Sequence, residues 1–295
     1  MILKMLAGAA LVTLTIANPA GAAEVSAVAS FSILGDMVKV IGGDRVTVTT
    51  IVGPNADTHV YEPKPGDAIA VAGADIFFVN GLGFEGWMER FVESTGYKGP
   101  LVVATTGIAT HTMDDEGEVV TDPHAWQSLG NGLVYADNIA AGLCGVDAEG
   151  CATYKASAAA YKSEMSALDA EVRAEIAAIP EGKRKVITTH DAFGYFALAY
   201  GVSFLAPEGV STESEASAQD VAKLVEQIRT EGVSALFIEN MSDPRLLQQI
   251  ASETGVTVGG ELYADALSEP DGPAPDYLSM FRYNIGQLIP AMRGG

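Results

Sequence analysis

The chain contains an internal repeat, and this repeat limits its fold more than any other feature. The segment SFSILGDMVKVIGG at residues 30–43 aligns without gaps with THDAFGYFALAYGV at residues 189–202, and two glycines of the first fall on two glycines of the second. Each segment follows a short apolar stretch typical of a strand and continues with the pattern of a helix. The repeat therefore predicts a chain built from two related units.

A second pair of segments extends the repeat. Residues 58–80 resemble residues 212–240, because Asp67 aligns with Asp220 and each segment ends in an aromatic strand followed by Asn80 or Asn240. The helix in the second copy is the longer one. Short strands rich in Val, Ile and Phe that alternate with helices predict an α/β fold with mainly parallel sheets. We therefore expect two similar α/β lobes.

A long helix is predicted between the two copies. Residues 154–179 are rich in Ala, Glu, Lys and Leu, and they contain neither Gly nor Pro before Pro180 ends the pattern. About 26 residues at about 1.5 Å each would form a rigid rod about 40 Å long. We expect an N-terminal lobe at residues 24–150, a connecting helix at 151–182 and a C-terminal lobe at 183–295. The helix has apolar residues at helical spacing: Met165, Leu168, Val172 and Ile176.

The first 23 residues have the pattern of a secretory signal peptide. Lys4 precedes an apolar run at residues 5–16 that is too short to span a bilayer, and the small residues Ala20, Gly21 and Ala22 suit a cleavage site. The alternative is a plain apolar first helix. The signal peptide predicts an exported, periplasmic protein, and the lack of a cysteine near the cleavage site argues against a lipid anchor.

Charge and cysteine content narrow the function further. The chain has 17 Lys and Arg against 38 Asp and Glu, a formal net charge of −21 at pH 7. Such a field repels polyanions, so we expect neither nucleic-acid binding nor insertion into an anionic membrane. Cys144 and Cys151 are the two cysteines, and in an oxidising compartment they are expected to form a disulfide; a thiolate metal pair would lack further cysteines.

Three of the four histidines lie where a predicted strand gives way to a helix or turn. His59 follows the strand at residues 46–52, His124 lies in TDPHAW, and His190 follows the apolar pair at 186–187. Ligands of open α/β sheets bind beyond the carboxyl ends of the strands. Three imidazoles and a fourth ligand, for which we choose Asp265 after the last strand, would form a zinc-type site in the cleft between the lobes. A hydrogen-bonded core histidine is the alternative at each position, and the pattern alone leaves both interpretations open.

Four segments also carry a resemblance to a known family. DTHVYEPKPGD, DPHAW, THDAFGYFALAYG and LYADALSEPDGPAPDYLSMFRYN, in this order, resemble the periplasmic zinc/manganese-binding proteins of ABC importers, the group that includes the zinc-uptake and treponemal-type receptors. The resemblance implies two α/β lobes joined by one long helix, with a single metal in the cleft. It implies the ligands His59, His124, His190 and Asp265, and a partner permease in the inner membrane.

The resemblance also suggests the metal. Manganese members carry a carboxylate at the third ligand position, whereas this chain has His190, as the zinc members do. Imidazole-rich sites suit Zn²⁺ and oxygen-rich sites suit Mn²⁺. We therefore expect a high-affinity zinc receptor that is not an enzyme, with a manganese or ferrous iron receptor as the alternative. A secreted zinc hydrolase is the less favoured alternative, since the chain lacks an HExxH motif.

Several neighbouring residues have weaker interpretations. His111 lies in the acidic stretch ATHTMDDEGEVVTDPH, which we expect to be a solvated loop that either contacts metal as an accessory group or has no role in binding. Asp191 is expected to cap the helix after His190, or else to orient an imidazole. Glu62 is expected to orient His59 or to brace the next helix. A periplasmic metal chaperone is an additional partner to consider, and a monomer is expected.

Overall fold

The computed structural model describes residues 25–115, 118–213 and 216–294. The predicted signal peptide at residues 1–23 lies outside this range. Within it, no helix is both long enough and apolar enough to cross a membrane.

The N-terminal lobe is a four-stranded parallel sheet with helices packed against it. Its strand order is β2-β1-β3-β4, and every neighbouring pair is parallel. The strands are β1 (Val25–Phe31), β2 (Val46–Val52), β3 (Ile76–Val79) and β4 (Leu101–Val103). The helices are α1 (Ser32–Gly42), α2 (Pro65–Ala72), α3 (Met88–Thr95) and α4 (Leu129–Val146).

The C-terminal lobe repeats this plan. Its sheet is also parallel and has the order β10-β9-β7-β8. If β7 is matched with β1 and β9 with β3, the two orders are identical, so the repeat predicted from the sequence is confirmed in the topology. The strands are β7 (Lys185–Ile187), β8 (Ser203–Leu205), β9 (Ala235–Glu239) and β10 (Val258–Leu262), and the helices are α6 (Gly194–Tyr200), α7 (Ala218–Glu231), α8 (Arg245–Thr254) and α9 (Tyr277–Arg293).

The aligned aspartates occupy the same position in the two copies. Asp67 is the third residue of α2, and its carboxylate accepts a hydrogen bond from the backbone N–H of Lys64 at 2.6 Å. Asp220 is the third residue of α7, and its backbone N–H donates to the Ser217 hydroxyl at 3.2 Å. Both residues thus stabilise the first turn of a helix. As predicted, the second helix is longer, with 14 residues against 8.

The helix α5 (Cys151–Ala177) connects the lobes and packs against α1, α4, α6 and α9. It starts three residues before the helical run predicted at residues 154–179 and ends two residues before the end of that run. Its 27 residues span about 40 Å. A disulfide between Cys144 and Cys151 ties its first residue to the end of α4, as expected. The predicted apolar face is confirmed, since these residues are buried: Met165, Leu168, Val172 and Ile176.

The acidic stretch before His124 is not the loop that we predicted. Thr112–Asp115 (β5) and Glu118–Thr121 (β6) form an antiparallel two-stranded hairpin separate from both parallel sheets. The backbone N–H of Asp122 donates to the carbonyl of His111 at 3.2 Å and closes the base of the hairpin. His124 therefore follows a strand, as predicted, but a strand of this hairpin.

Buried contacts hold the two lobes together. The indole N–H of Trp126 in the N-terminal lobe donates to the Ala264 carbonyl in the C-terminal lobe at 2.9 Å. Asp36 on α1 accepts a hydrogen bond from the backbone N–H of Tyr277 at the start of α9 at 3.0 Å. One apolar cluster includes side chains of both lobes and of α5. The lobes thus share a core on this side, and the loops after their strands face each other.

Candidate metal centre

Four polar side chains from four different loops meet between the lobes. His59 follows β2, His124 follows β6, His190 follows β7 and Asp265 follows β10. His59 is 6% exposed and the other three are fully buried. Among the described residues, these four form the one group of three or more His, Cys, Asp or Glu whose potential ligand atoms are close enough to hold a metal, all within 4.8 Å of one another. The structure therefore brings together the four residues that the sequence selected.

The distances within the group fit a small cation at its centre. The Nε2 atoms of His59 and His124 are 3.2 Å apart. Oδ2 of Asp265 lies 3.3 Å from Nε2 of His59 and 3.1 Å from Nε2 of His190, and Oδ1 lies 3.8 Å from Nε2 of His124. A tetrahedral site with bonds of about 2.05 Å has ligand atoms about 3.3 Å apart. Three of these four separations match that spacing, and all ligand atoms of the group lie within 4.8 Å of one another.

Several of these atoms lack an ordinary hydrogen-bond partner. Within the described part of the chain, three atoms make no hydrogen bond of acceptable geometry: both carboxylate oxygens of Asp265 and Nε2 of His190. Buried polar atoms without partners are costly, by about 1–3 kcal/mol each. All three belong to the group of four close ligands, so a bound cation would satisfy them together.

Carboxylates behind the imidazoles fix their orientation. Oδ1 of Asp122 lies 2.8 Å from Nδ1 of His124 and also accepts the backbone N–H of His124 at 2.8 Å. Oε2 of Glu239 bonds Nδ1 of His190, and Oε1 accepts the backbone N–H of His190 at 3.2 Å. A carboxylate on Nδ1 holds the proton there and leaves Nε2 free to bind a metal. In their neutral form, both rings therefore present the Nε2 lone pair to the centre.

His59 is held differently. Its backbone N–H donates to Oδ1 of Asp57 at 2.9 Å, which fixes the loop and not the ring. The same contact recurs in the other N-terminal loop, since Asp122 stands two residues before His124. The spacing Asp-x-His is thus shared by both loops, and it was the sequence signal from which these two carboxylates could have been found.

Aromatic rings close the N-terminal side of the site. Phe84 makes edge contacts with the rings of His59 and His124, at centroid distances of 4.9 and 5.9 Å. Trp126 packs on His124 at 5.3 Å and on Phe84 at 4.6 Å. Such apolar walls exclude water and strengthen the electrostatic interactions inside the site.

The charges of the site shift its protonation equilibria. Burial lowers the pKa of His190, but the nearby charges of Glu239 and Asp265 outweigh it, so the net pKa lies well above the usual value. Burial would raise the pKa of Asp265, yet His190 and His124 hold it well below the usual value. Burial lowers the pKa of His59 in spite of Asp265. Without metal, the site therefore favours a protonated His190 paired with an ionised Asp265.

Other predicted residues lie near the site but outside the group of four. Nε2 of His111 is 2.9 Å from Oδ2 of Asp122, and its ring packs on Tyr195 at 4.5 Å. Glu62 is exposed and lines a cavity beside His59, while Asp57 holds the His59 loop.

The predicted capping role of Asp191 is wrong. Helix α6 begins at Gly194, and Phe193 occupies its N-cap position without a side-chain cap. Asp191 lies in the preceding turn, where its backbone N–H bonds the Gly209 carbonyl at 3.0 Å. Burial, together with the charge of Asp122, raises its pKa to about 6. The carboxylate that orients His190 is Glu239, which we did not predict.

The fold and the family are shared with known metal receptors. The family model described as zinc-uptake complex component A, periplasmic, matches residues 27–291. The chain is 34% identical over 274 residues to the iron-binding protein YfeA of Yersinia pestis, covering 92% of this chain and 88% of the relative. It is 32% identical over 262 residues to the manganese-binding lipoprotein MntA of Halalkalibacterium halodurans, covering 89% and 86%.

A solved structure of a metal-binding protein has a similar fold. The periplasmic zinc binding protein TroA of Treponema pallidum superimposes with a TM-score of 0.86 at 28% identity, covering 91% of this chain and 99% of that chain. These relatives are named for iron, manganese and zinc, so the family resemblance does not select one metal. With nearly the whole described chain matched, the protein belongs to the zinc-uptake component A family of metal-binding receptors of ABC importers, which are solute-binding proteins and not enzymes.

Proposed function

We propose that this protein is a high-affinity zinc receptor, which captures Zn²⁺ in the periplasm and delivers it to an ABC permease for import. The observation that carries the proposal is the buried convergence of His59, His124, His190 and Asp265, with polar atoms aimed at one point. Four protein ligands make a closed site without an open coordination position. Such a site favours tight binding over catalysis.

The ligand chemistry supports zinc over the other metals. Three imidazole nitrogens and one carboxylate form a nitrogen-rich set, which suits Zn²⁺, while Mn²⁺ prefers more oxygen ligands. The spacing of 3.1–3.8 Å between neighbouring ligand atoms also agrees with the small tetrahedral zinc site. A manganese or ferrous iron receptor is the second candidate, because relatives above 30% identity are named for those metals.

The partners follow from the family and from the sequence. A solute-binding component needs a membrane permease to receive its cargo, and the signal peptide expected at residues 1–23 would bring the protein to the periplasm. We further propose that it acts as a monomer, with a periplasmic metal chaperone as an additional partner to test.

Competition among metals tests the proposal. Protein stripped by a chelator is offered equimolar Zn²⁺, Mn²⁺ and Fe²⁺ without oxygen, and the bound metal is measured by mass spectrometry. We expect one zinc per chain in the wild type and a large loss in His190→Ala. The variant His190→Glu replaces a nitrogen ligand by oxygen and should shift the preference towards manganese.

The outcomes separate the candidates. One manganese or iron per chain in the wild type would contradict zinc selectivity but keep the receptor. Stoichiometric metal that His190→Ala binds as tightly as the wild type would contradict the assigned ligands.

A further inference from the structure

His59 is the ligand that lies closest to solvent. Its side chain is 4% exposed, whereas the side chains of His124, His190 and Asp265 are completely covered. Two cavities of about 660 and 440 Å³ border His59, and Glu213 of the C-terminal lobe lines both. The entrance to the site, as far as the structure describes it, is therefore the gap between the His59 loop and the segment around Glu213.

A hydrogen-bonded chain crosses this gap. The hydroxyl of Thr212, the residue before Glu213, donates to Oδ2 of Asp57 at 2.7 Å. The other oxygen of the same carboxylate accepts the backbone N–H of His59 at 2.9 Å. Asp57 thus connects a residue of the C-terminal lobe, 155 positions away, with the loop that carries a metal ligand of the N-terminal lobe.

The position of this contact differs from that of the buried contacts between the lobes. The bond from Trp126 to Ala264 lies in the shared core, where Trp126 is fully buried. Thr212 is only partly buried and belongs to the segment between β8 and α7, beside the entrance cavities. If the lobes separate on the entrance side, the Thr212 bond must break, whereas the core contacts can remain.

We propose that Thr212 is a positioning residue of the metal site, which holds the His59 loop against the C-terminal lobe through Asp57 and so sets how long the metal stays bound. The inference depends on one part of the proposed function, namely that the cleft binds a divalent metal. The bound metal joins His59 to His190 and Asp265, and Thr212 closes the same gap from outside. Loss of the hydroxyl should therefore accelerate metal release more than metal capture.

Three variants test this role. Thr212→Val removes the hydroxyl while it keeps the shape of the side chain, and Thr212→Ser keeps the hydroxyl. Thr230→Val is the matched control, because the Thr230 hydroxyl bonds carbonyls within the exposed surface of α7, at 2.9 Å to Glu226. Release of zinc is followed by stopped flow after an excess of a chromophoric chelator is added, and capture is measured separately. The melting temperature of each metal-free variant shows whether it is folded.

The bond to a charged acceptor predicts a sizeable effect. We expect Thr212→Val to release zinc about tenfold faster than the wild type, while its capture rate changes by less than about twofold. Thr212→Ser should restore slow release. Thr230→Val should match the wild type. The inference is overturned if folded Thr212→Val releases zinc at the wild-type rate, or if Thr212→Ser releases zinc as fast as Thr212→Val. Either result would leave the receptor function intact. A wild type that binds manganese instead is tested in the same way with that metal, and a wild type that binds no metal would overturn both proposals.

Discussion

Replacing Glu239 by glutamine tests whether a buried carboxylate prepares His190 for the metal. Glu239 is 1% exposed, and its two oxygens have different partners. Oε1 accepts the backbone N–H groups of Thr189 at 2.9 Å and His190 at 3.2 Å, and Oε2 bonds Nδ1 of the His190 ring. A carboxylate can accept all of these bonds at once, because both of its oxygens are acceptors.

Glutamine cannot reproduce this pattern in either orientation. If its oxygen faces the two backbone N–H groups, its NH₂ group faces Nδ1 of His190, which must then accept. The neutral ring would carry its proton on Nε2, the atom aimed at the metal. If the amide flips, its NH₂ group meets two backbone donors instead. The first orientation thus places a proton on the metal-binding nitrogen, and the second sets donors against donors, which costs about 1–3 kcal/mol.

The expected loss of affinity is correspondingly large. Removal of an outer carboxylate that orients a metal ligand lowers metal affinity by about 10- to 100-fold, which corresponds to about 1.4–2.7 kcal/mol. We therefore expect the zinc dissociation constant of Glu239→Gln to rise by at least about tenfold. The constant is measured by competition with a chelator of known affinity, at pH 7.5 and fixed ionic strength.

Glu85→Gln provides a matched control from the other lobe. Glu85 is also buried, and it accepts hydrogen bonds from the Ser30 hydroxyl at 2.6 Å and the backbone N–H of Asn80 at 2.7 Å, but it is not bonded to any of the four candidate ligands. This variant should lose stability without losing zinc affinity. If Glu239→Gln binds zinc within about twofold of the wild type, or if Glu85→Gln weakens binding as much, the role assigned to Glu239 is refuted.

Three further changes test the electrostatics and the covalent restraints. Because the pKa of His190 is held well above its usual value, zinc must displace a proton from this side chain. The affinity for zinc should therefore rise between pH 6 and 8, with release of about one proton. Calorimetry in buffers of different ionisation enthalpy measures this release, and finding none would contradict the prediction. Burial raises the pKa of Asp36 from 3.8 to about 6, so stability from its neutral form is complete below pH 3.8 and is lost as the pH rises through about 6. Asp36→Asn should therefore increase the free energy of unfolding by about 1–2 kcal/mol at pH 8, after allowance for partial solvent screening, and the gain should vanish near pH 4; urea titrations that find the same gain at both values refute the cause. Replacing Cys144 and Cys151 by serine removes the disulfide around a loop of about eight residues and should cost about 2.5 kcal/mol in the same assay, whereas an unchanged midpoint contradicts the estimate.

Local patterns predicted the fold because they recur. The aligned segments at residues 30–43 and 189–202 predicted matching units, and the two sheets do have the same strand order. The long run without Gly or Pro predicted α5 to within three residues at each end. Three of the four candidate ligands were found because they follow parallel strands, whose carboxyl ends bring loops together, whereas His124 follows a strand of the antiparallel hairpin.

The residues that the sequence did not reveal act over long distances. Glu239 is the last residue of an apolar strand, and its partner His190 is 49 positions away, so nothing local distinguishes it from a strand-end charge. The sequence of the hairpin β5–β6 predicts a loop, because its residues are acidic and its strands have only four residues each. The position of Asp191 in the sequence predicts a helix cap, but α6 starts two residues later than that role requires. These features depend on tertiary contacts.

The balance of buried charge predicts that loss of the metal is coupled to separation of the lobes. Asp122, Glu239 and Asp265 are carboxylates with almost no exposure, and they surround His124 and His190. Several negative charges buried together need positive charge nearby, because desolvated ions without compensation are costly. A divalent metal supplies two charges at the centre, and a protonated His190 supplies only one. A closed cleft that has lost its metal therefore has too little positive charge for its buried carboxylates, so it must take up further protons or admit water. Water can enter where His59 meets solvent, and departure of the metal should consequently be coupled to separation of the lobes at that edge.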